Sequence, residues 1–486
     1  MPRFCFTLVM TIFFSTRYSS SQFQKVIQLN KNRETILMPH TARVKGGFQT
    51  RIQNEAKFFY TKNWNSIHDT LIWHIDVSEN LSGEYLVYGL LKAKNTSLSL
   101  HLDDAKDTLH YAINTSSFER KKIGTIQLVK GKHILKLFSQ QPNDCFINSL
   151  ELIKEKTKKN QEKAVKRLRS DTQWMREAGY GIMFHWTGNI YPSQGDILPY
   201  EQAVDALDTD MLAKKVYNMG AGYLIFTTSH ASYHFPAPIK SIDAIHTGHT
   251  TKRDLIDDLY HSLNAYGIKL ILYYHLGHDS YRDPKGWWQH LRHDLQHPQV
   301  FWKNWKSIIS EVGLRYGKKV SGFCFDDGIA YYPLNPDFQK LGEIAKKGNP
   351  KRLIAYNSWS IPKITSYQDF VFGEGSFHVL LGSFRHNHID SQGIRVDDAQ
   401  GGLQAHLMFP LEGNWFHSQK NTPITAPNMD YNDFKKNMLQ AIRCGIVPTV
   451  NMKITQDGHI GKKSFEFMKQ FKKDYQASKE ITVLEK

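Results

Sequence analysis

Beyond about residue 180, this chain repeats one pattern: a short apolar run that ends abruptly in a polar residue. Gly181-Ile182-Met183-Phe184 ends at His185-Trp186, 222–228 at Ser229-His230, 269–274 at His275, and 320–325 at Asp326-Asp327. The run 353–356 ends at Asn357, 369–372 leads to Glu374, and 405–409 and 446–450 complete eight candidates, the last ending at Asn451. Between runs the apolar period changes to that of a helix. Leu255, Ile256, Leu259, Tyr260 and Leu263 precede a stop at Gly267; Trp302, Trp305, Ile308, Ile309 and Val312 precede Gly317. Strand, helix, strand at this cadence predicts an α/β fold of the (β/α)8-barrel type over 173–475. A doubly wound open sheet is the competitor, but no glycine-rich phosphate loop follows any run.

The first 150 residues read differently. Residues 1–21 combine Arg3, an apolar core from Phe4 to Phe14 and a serine-rich exit, the pattern of a signal peptide. A secreted or periplasmic location is therefore expected, and no later segment is long and apolar enough to span a membrane. Over 22–153, short period-two runs such as 71–77, 84–88, 97–102, 133–138 and 149–153 predict an antiparallel β-sandwich. A basic linker over 154–172 joins the two parts, and 476–486 reads as a tail.

The formal charge of +16 favours polyanions. With no nucleic-acid motif in an exported chain, an acidic or sulfated polysaccharide, or simply a charged cell surface, is the expected partner rather than nucleic acid. Oligomeric state is left open.

In a parallel barrel the strand C-termini line the catalytic face, so carboxylates there read as catalytic. Asp326 and Glu374 are the candidate pair, with Asp327 competing for the first role and Glu412 a distant alternative for the second. His230 and His234 invite a zinc reading, but Pro236 and Pro238 interrupt the segment and no His-Glu-x-x-His helix is present. Outside the signal, Cys145, Cys324 and Cys444 are widely separated, so no disulfide framework, metal or cofactor is expected.

The run 174–186, ending Gly-Ile-Met-Phe-His-Trp, resembles the opening strand of α-L-fucosidases of glycoside hydrolase family 29. The resemblance continues in order through 220–230, 253–274, 322–326, 369–374 and 451–460. It implies an exported retaining α-L-fucosidase with Asp326 as nucleophile and Glu374 as acid/base. It further implies sugar-binding roles for His185, His230 and Tyr274, with Trp186 and Trp415 as apolar walls, and a glycan or polysaccharide substrate. The chain departs from the pattern at Ala231, Ser232 and Cys324, which leaves the sugar less defined than the reaction. A glycosidase acting on another, sulfated residue and a non-catalytic sugar-binding protein are the alternatives. The N-terminal strands resemble carbohydrate-binding modules of families 6 and 35, and either sugar binding or bracing of the barrel fits them, bracing being favoured.

Overall fold

The fold is taken from a computed structural model that describes residues 26–47, 49–50, 61–62, 64, 66–103, 108–116, 118–140, 145–230, 234–275, 290–292, 297–326, 328–358, 363–375, 394 and 401–484. The expected signal peptide, Asp327, Ala231 and Ser232 lie outside these residues.

Seven of the eight apolar runs are strands: β1 Gly181–Phe184, β2 Tyr223–Ser229, β3 Lys269–Tyr274, β4 Val320–Phe325, β5 Leu353–Tyr356, β6 His406–Pro410 and β7 Val447–Met452. They form one parallel sheet in the order β5-β4-β3-β2-β1-β7-β6. Continuous apolar runs suit it, because helices cover one face and apolar side chains pack together on the other. Successive side chains point to opposite faces. Met183, Ile225, Ile271, Cys324, Ala355 and Met408 accordingly meet in one inner cluster, so the sheet is curled. Ile182, Leu224, Leu272, Phe323, Ile354 and Leu407 pack outward against the helices.

The expectation of eight regular strands needs correction at 369–374, which forms only isolated parallel bridges, Phe370 to Gln404 and Glu374 to Met408. It nonetheless occupies the space between β5 and β6: Asp369 N–H donates to Ile354 O at 2.7 Å and Val371 N–H to Gln404 O at 3.0 Å. Phe370 and Phe372 join the inner cluster. Gly373 interrupts the run, with φ +69° and a position where a Cβ would lie 2.1 Å from His406 O. Only glycine meets both demands.

The helices form where their periodicity placed them. The helix Leu255–Asn264 starts at Asp254, whose side chain accepts from Asp257 N–H, and Pro298–Tyr316 ends at Gly317 with φ +46°. The helix Lys462–Leu484 runs through the expected boundary at 475 without a break.

Two large sheets and a two-stranded antiparallel pair, Gln49–Thr50 with Thr61–Lys62, make up the described N-terminal part. One contains Thr70–Val77, Gly131–Ser139, Thr96–Leu102 and Thr108–Ile113, antiparallel along that path, with the short Arg43–Lys45 antiparallel and Val26–Gln28 parallel to Thr70–Val77. The other is antiparallel and contains Glu119–Leu128, Gly83–Lys92, Phe146–Ile153 and Thr35–Leu37. Alternate residues of both, including Trp73, Ile75, Leu135, Val87, Leu91 and Leu150, share one core, so the sheets pack face to face. The basic linker is mostly a helix, Glu155–Leu168, steadied by Lys158–Glu162 and Lys159–Glu155 pairs one turn apart.

Candidate active site

Extending the inner parity of each strand by one step reaches His185 after Met183, His275 after Tyr273, Asp326 after Cys324, Asn357 after Ala355 and Glu374 after Phe372. All lie at strand C-termini or just beyond them. The backbone carries the order outward: Asp326 N–H donates to Tyr274 O at 2.9 Å and Asn357 N–H to Phe325 O at 2.8 Å. Glu374 is held against β6, where Gly375 N–H donates to Met408 O at 3.1 Å and Met408 N–H to Gly373 O at 2.7 Å.

The two carboxylates share a donor. Asn357 Nδ2 donates to Asp326 Oδ1 at 2.6 Å and also to Glu374 Oε2. Tyr273 Oη donates to Asp326 Oδ2, and His275 Nε2 lies 3.6 Å from the same oxygen. Asp326 is 6% exposed, so both its oxygens are engaged in a nearly dry setting.

A histidine cluster faces them. The His185 ring lies 4.5 Å from that of His230 and 5.4 Å from that of Tyr273, and stacks on Phe416 at 5.8 Å. His230 is in turn 4.3 Å from His275. Burial first, then the neighbouring His230 and His275, hold the His185 imidazole well below its usual pKa, so it is neutral at pH 7. Both of its ring nitrogens are buried without a hydrogen-bond partner among the described residues. Burial also pushes the Cys324 thiol up, helped by Asp326, which makes it an inert filler beside the carboxylate.

Of the residues singled out from sequence, Asp326, Glu374, His185 and His230 come together. Trp415 packs against the inner cluster, and its carbonyl accepts from Asn451 Nδ2 at 2.8 Å. Two residues fall on the other face. Tyr274 belongs to the outer layer, edge-on to Phe325, and Trp186 stacks on Phe226 while its Nε1 donates to Gln456 O at 2.9 Å. Strand parity is the reason: the inner positions beside them are Tyr273 and His185. Glu412 accepts from Lys453 N–H at 3.0 Å, at the ends of β6 and β7.

Tyr273, His275, Asn357 and Phe416 were not singled out, although period-two alternation from Ile271 would have pointed to the first two. His230, His275 and Asp326 also offer ligand atoms within 4.8 Å of one another, a grouping able to hold a divalent cation. His275, not His234, is the second histidine of that set.

A curled parallel sheet with paired carboxylates at its C-terminal end defines the class as glycoside hydrolase. Residues 202–374, which include both carboxylates, match the family model described as Alpha-L-fucosidase. No curated protein matches the chain. Among solved structures, the α-L-fucosidase AlfC from Lactobacillus casei in complex with α-L-fucose product is 16% identical, aligned over 64% of this chain and 100% of its own, with TM-score 0.45. A family 29 α-L-fucosidase from Bacteroides thetaiotaomicron is 17% identical over 63% of this chain and 74% of its own, TM-score 0.43. An endo-fucoidan hydrolase from glycoside hydrolase family 107 is 13% identical over 62% of this chain and 54% of its own, TM-score 0.46. Among the described residues no helix is long and apolar enough to cross a membrane.

Proposed function

We propose that this protein is a retaining α-L-fucosidase that removes terminal L-fucose, or a closely related sugar, from a glycan by double displacement. The carrying observation is the single Asn357 nitrogen that binds Asp326 and Glu374 together. Retaining enzymes keep their carboxyl groups about 5–5.5 Å apart, and a shared donor supports a spacing of that order. Asp326 attacks the anomeric carbon while Glu374 gives its proton to the departing glycosidic oxygen. Glu374 then takes a proton from water, whose oxygen attacks the same carbon and releases Asp326. Neutral His185, with one ring nitrogen donating and the other accepting, suits sugar hydroxyls.

The +16 charge favours a second reading, a glycosidase acting on a sulfated residue of an anionic polysaccharide. Turnover of an aryl α-L-fucoside that vanishes in Asp326→Gly and persists in part in Asp327→Gly is the expected result. Silence of the wild type across neutral aryl glycosides, with activity on sulfated ones, selects the second reading. Glycan binding without any turnover would overturn both.

We further infer that 369–374 serves as the eighth strand position of a closed barrel, that the sandwich is a carbohydrate-binding module, and that residues 1–21 direct export. Glycan arrays with the full chain and fractionation of the native host test the last two.

A further inference from the structure

Where the N-terminal sheets, the helix Glu155–Leu168 and the parallel-sheet unit meet, they enclose a cavity of about 330 Å³. A neighbouring cavity of about 380 Å³ shares Glu34, Gln161 and Tyr367 with it, so the two lie side by side along the seam. Spaces of this size between folded units are common ligand sites.

The seam's ion pairs leave an excess of positive charge. Arg120 is matched by Glu151, with Nε and Nη2 donating to Oε2 at 2.9 and 2.7 Å, and Lys158 by Glu162 at 3.2 Å. Lys166 and Arg169 line the same wall three residues apart, and neither makes an ion pair among the described residues. Arg169 Nη2 donates to Ser366 O at 2.8 Å, while its buried Nε has no hydrogen-bond partner among the described residues. Lys363 also lies on this wall. Burial, with Glu151, pushes the Glu34 carboxyl up, while the hydrogen bond from Gln161 and the nearby Arg33 pull it back. Ile36, Ile364, Tyr332 and Tyr367 give the lining an apolar and aromatic side, beside the polar Gln161, Thr365 and Ser366.

We propose that this seam is a second saccharide site, taking a sugar unit that carries an oxyanion, as a sulfate ester or carboxylate, from a polysaccharide chain. The cations recognise the oxyanion, and the aromatic and aliphatic wall covers the ring face. The site lies outside the carboxylate cluster, so it stands whether or not Asp326 and Glu374 have the roles proposed for them.

The test is calorimetric titration of the full-length Asp326→Gly protein with sulfated fucan oligosaccharide, in the presence of saturating L-fucose to occupy the first site. Expected is residual binding that weakens at least tenfold on chemical desulfation and at least tenfold in Lys166→Glu. Lys166 is exposed, so this variant should melt as the parent does. Arg169→Met is a second variant expected to weaken binding. Absence of binding under L-fucose, or binding unchanged in both variants, overturns the proposal. Sodium sulfate alone binding as tightly as the oligosaccharide overturns it in favour of an inorganic-anion site. Turnover of an aryl fucoside by the wild type is read separately, so failure of the catalytic reading and failure of this one are distinguishable.

Discussion

Asn357 donates from one nitrogen to Asp326 and Glu374, and each bond favours the ionised carboxylate. Removing the amide raises both pKa values. The nucleophile must be ionised and the acid protonated, so both limbs of the pH–rate profile should move to higher pH in Asn357→Ala. A hydrogen bond to a charged group is worth about 1.5–3 kcal/mol, so kcat/KM should fall about 10- to 100-fold. A fall in rate with both limbs unmoved would make Asn357 a structural residue only. Asp326, Glu374, His185 and His230 were legible because each ends an apolar run. Asn357 also ends one, but its role depends on two residues 31 and 17 positions away that only folding brings to it. Tyr274 was chosen over Tyr273 because a pair of tyrosines at a strand end looks alike until the inner face is known.

At the scale of single elements, two buried polar contacts hold the irregular run 369–374 in place. Asp369 accepts from Ser170 N–H at 2.7 Å, Ile354 N–H at 2.8 Å and Lys346 Nζ at 3.0 Å. Burial pushes its carboxyl up, and Lys346 with the two backbone donors pulls it back. Asp369→Asn leaves Lys346 buried and uncompensated, and should cost about 3–5 kcal/mol in urea unfolding. His406 on β6 bonds Phe372 O at 2.8 Å through Nδ1 and Thr449 Oγ1 at 2.8 Å through Nε2. Burial lowers its pKa from 6.5 to about 4. The folded state therefore binds fewer protons than the unfolded one between these values. The stability His406 contributes is complete above pH 6.5 and is lost as pH falls toward about 4, by roughly 3 kcal/mol at 1.36 kcal/mol per pH unit. His406→Gln should flatten that acid slope in thermal melts between pH 6.5 and 4, and an unchanged slope would assign it to other groups.

Across the whole molecule, Met38, Leu90 and Phe118 of the sandwich sit in the same apolar cluster as the outer barrel layer, and Arg33 Nη1 donates to Asn335 Oδ1 at 2.8 Å. Losing three such contacts costs on the order of 5 kcal/mol. A chain lacking 22–153 should therefore melt about 10 °C lower than the full chain by calorimetry, whereas an equal melting temperature would mean independent units. What the sequence determined by itself was local: period-two runs become strands, period-3.6 runs become helices, and the residue closing each run sits at the sheet's C-terminal end. These follow from backbone geometry over a few residues, which no distant contact needs to supply. Only the tertiary structure decided which strand face is inner, that 369–374 bends at Gly373, and that one amide serves two carboxylates. It alone also brought Lys166 and Arg169 to one cavity with Ile36 and Tyr332. Each of these depends on residues far apart in the chain, whose approach is set by packing rather than by local preference.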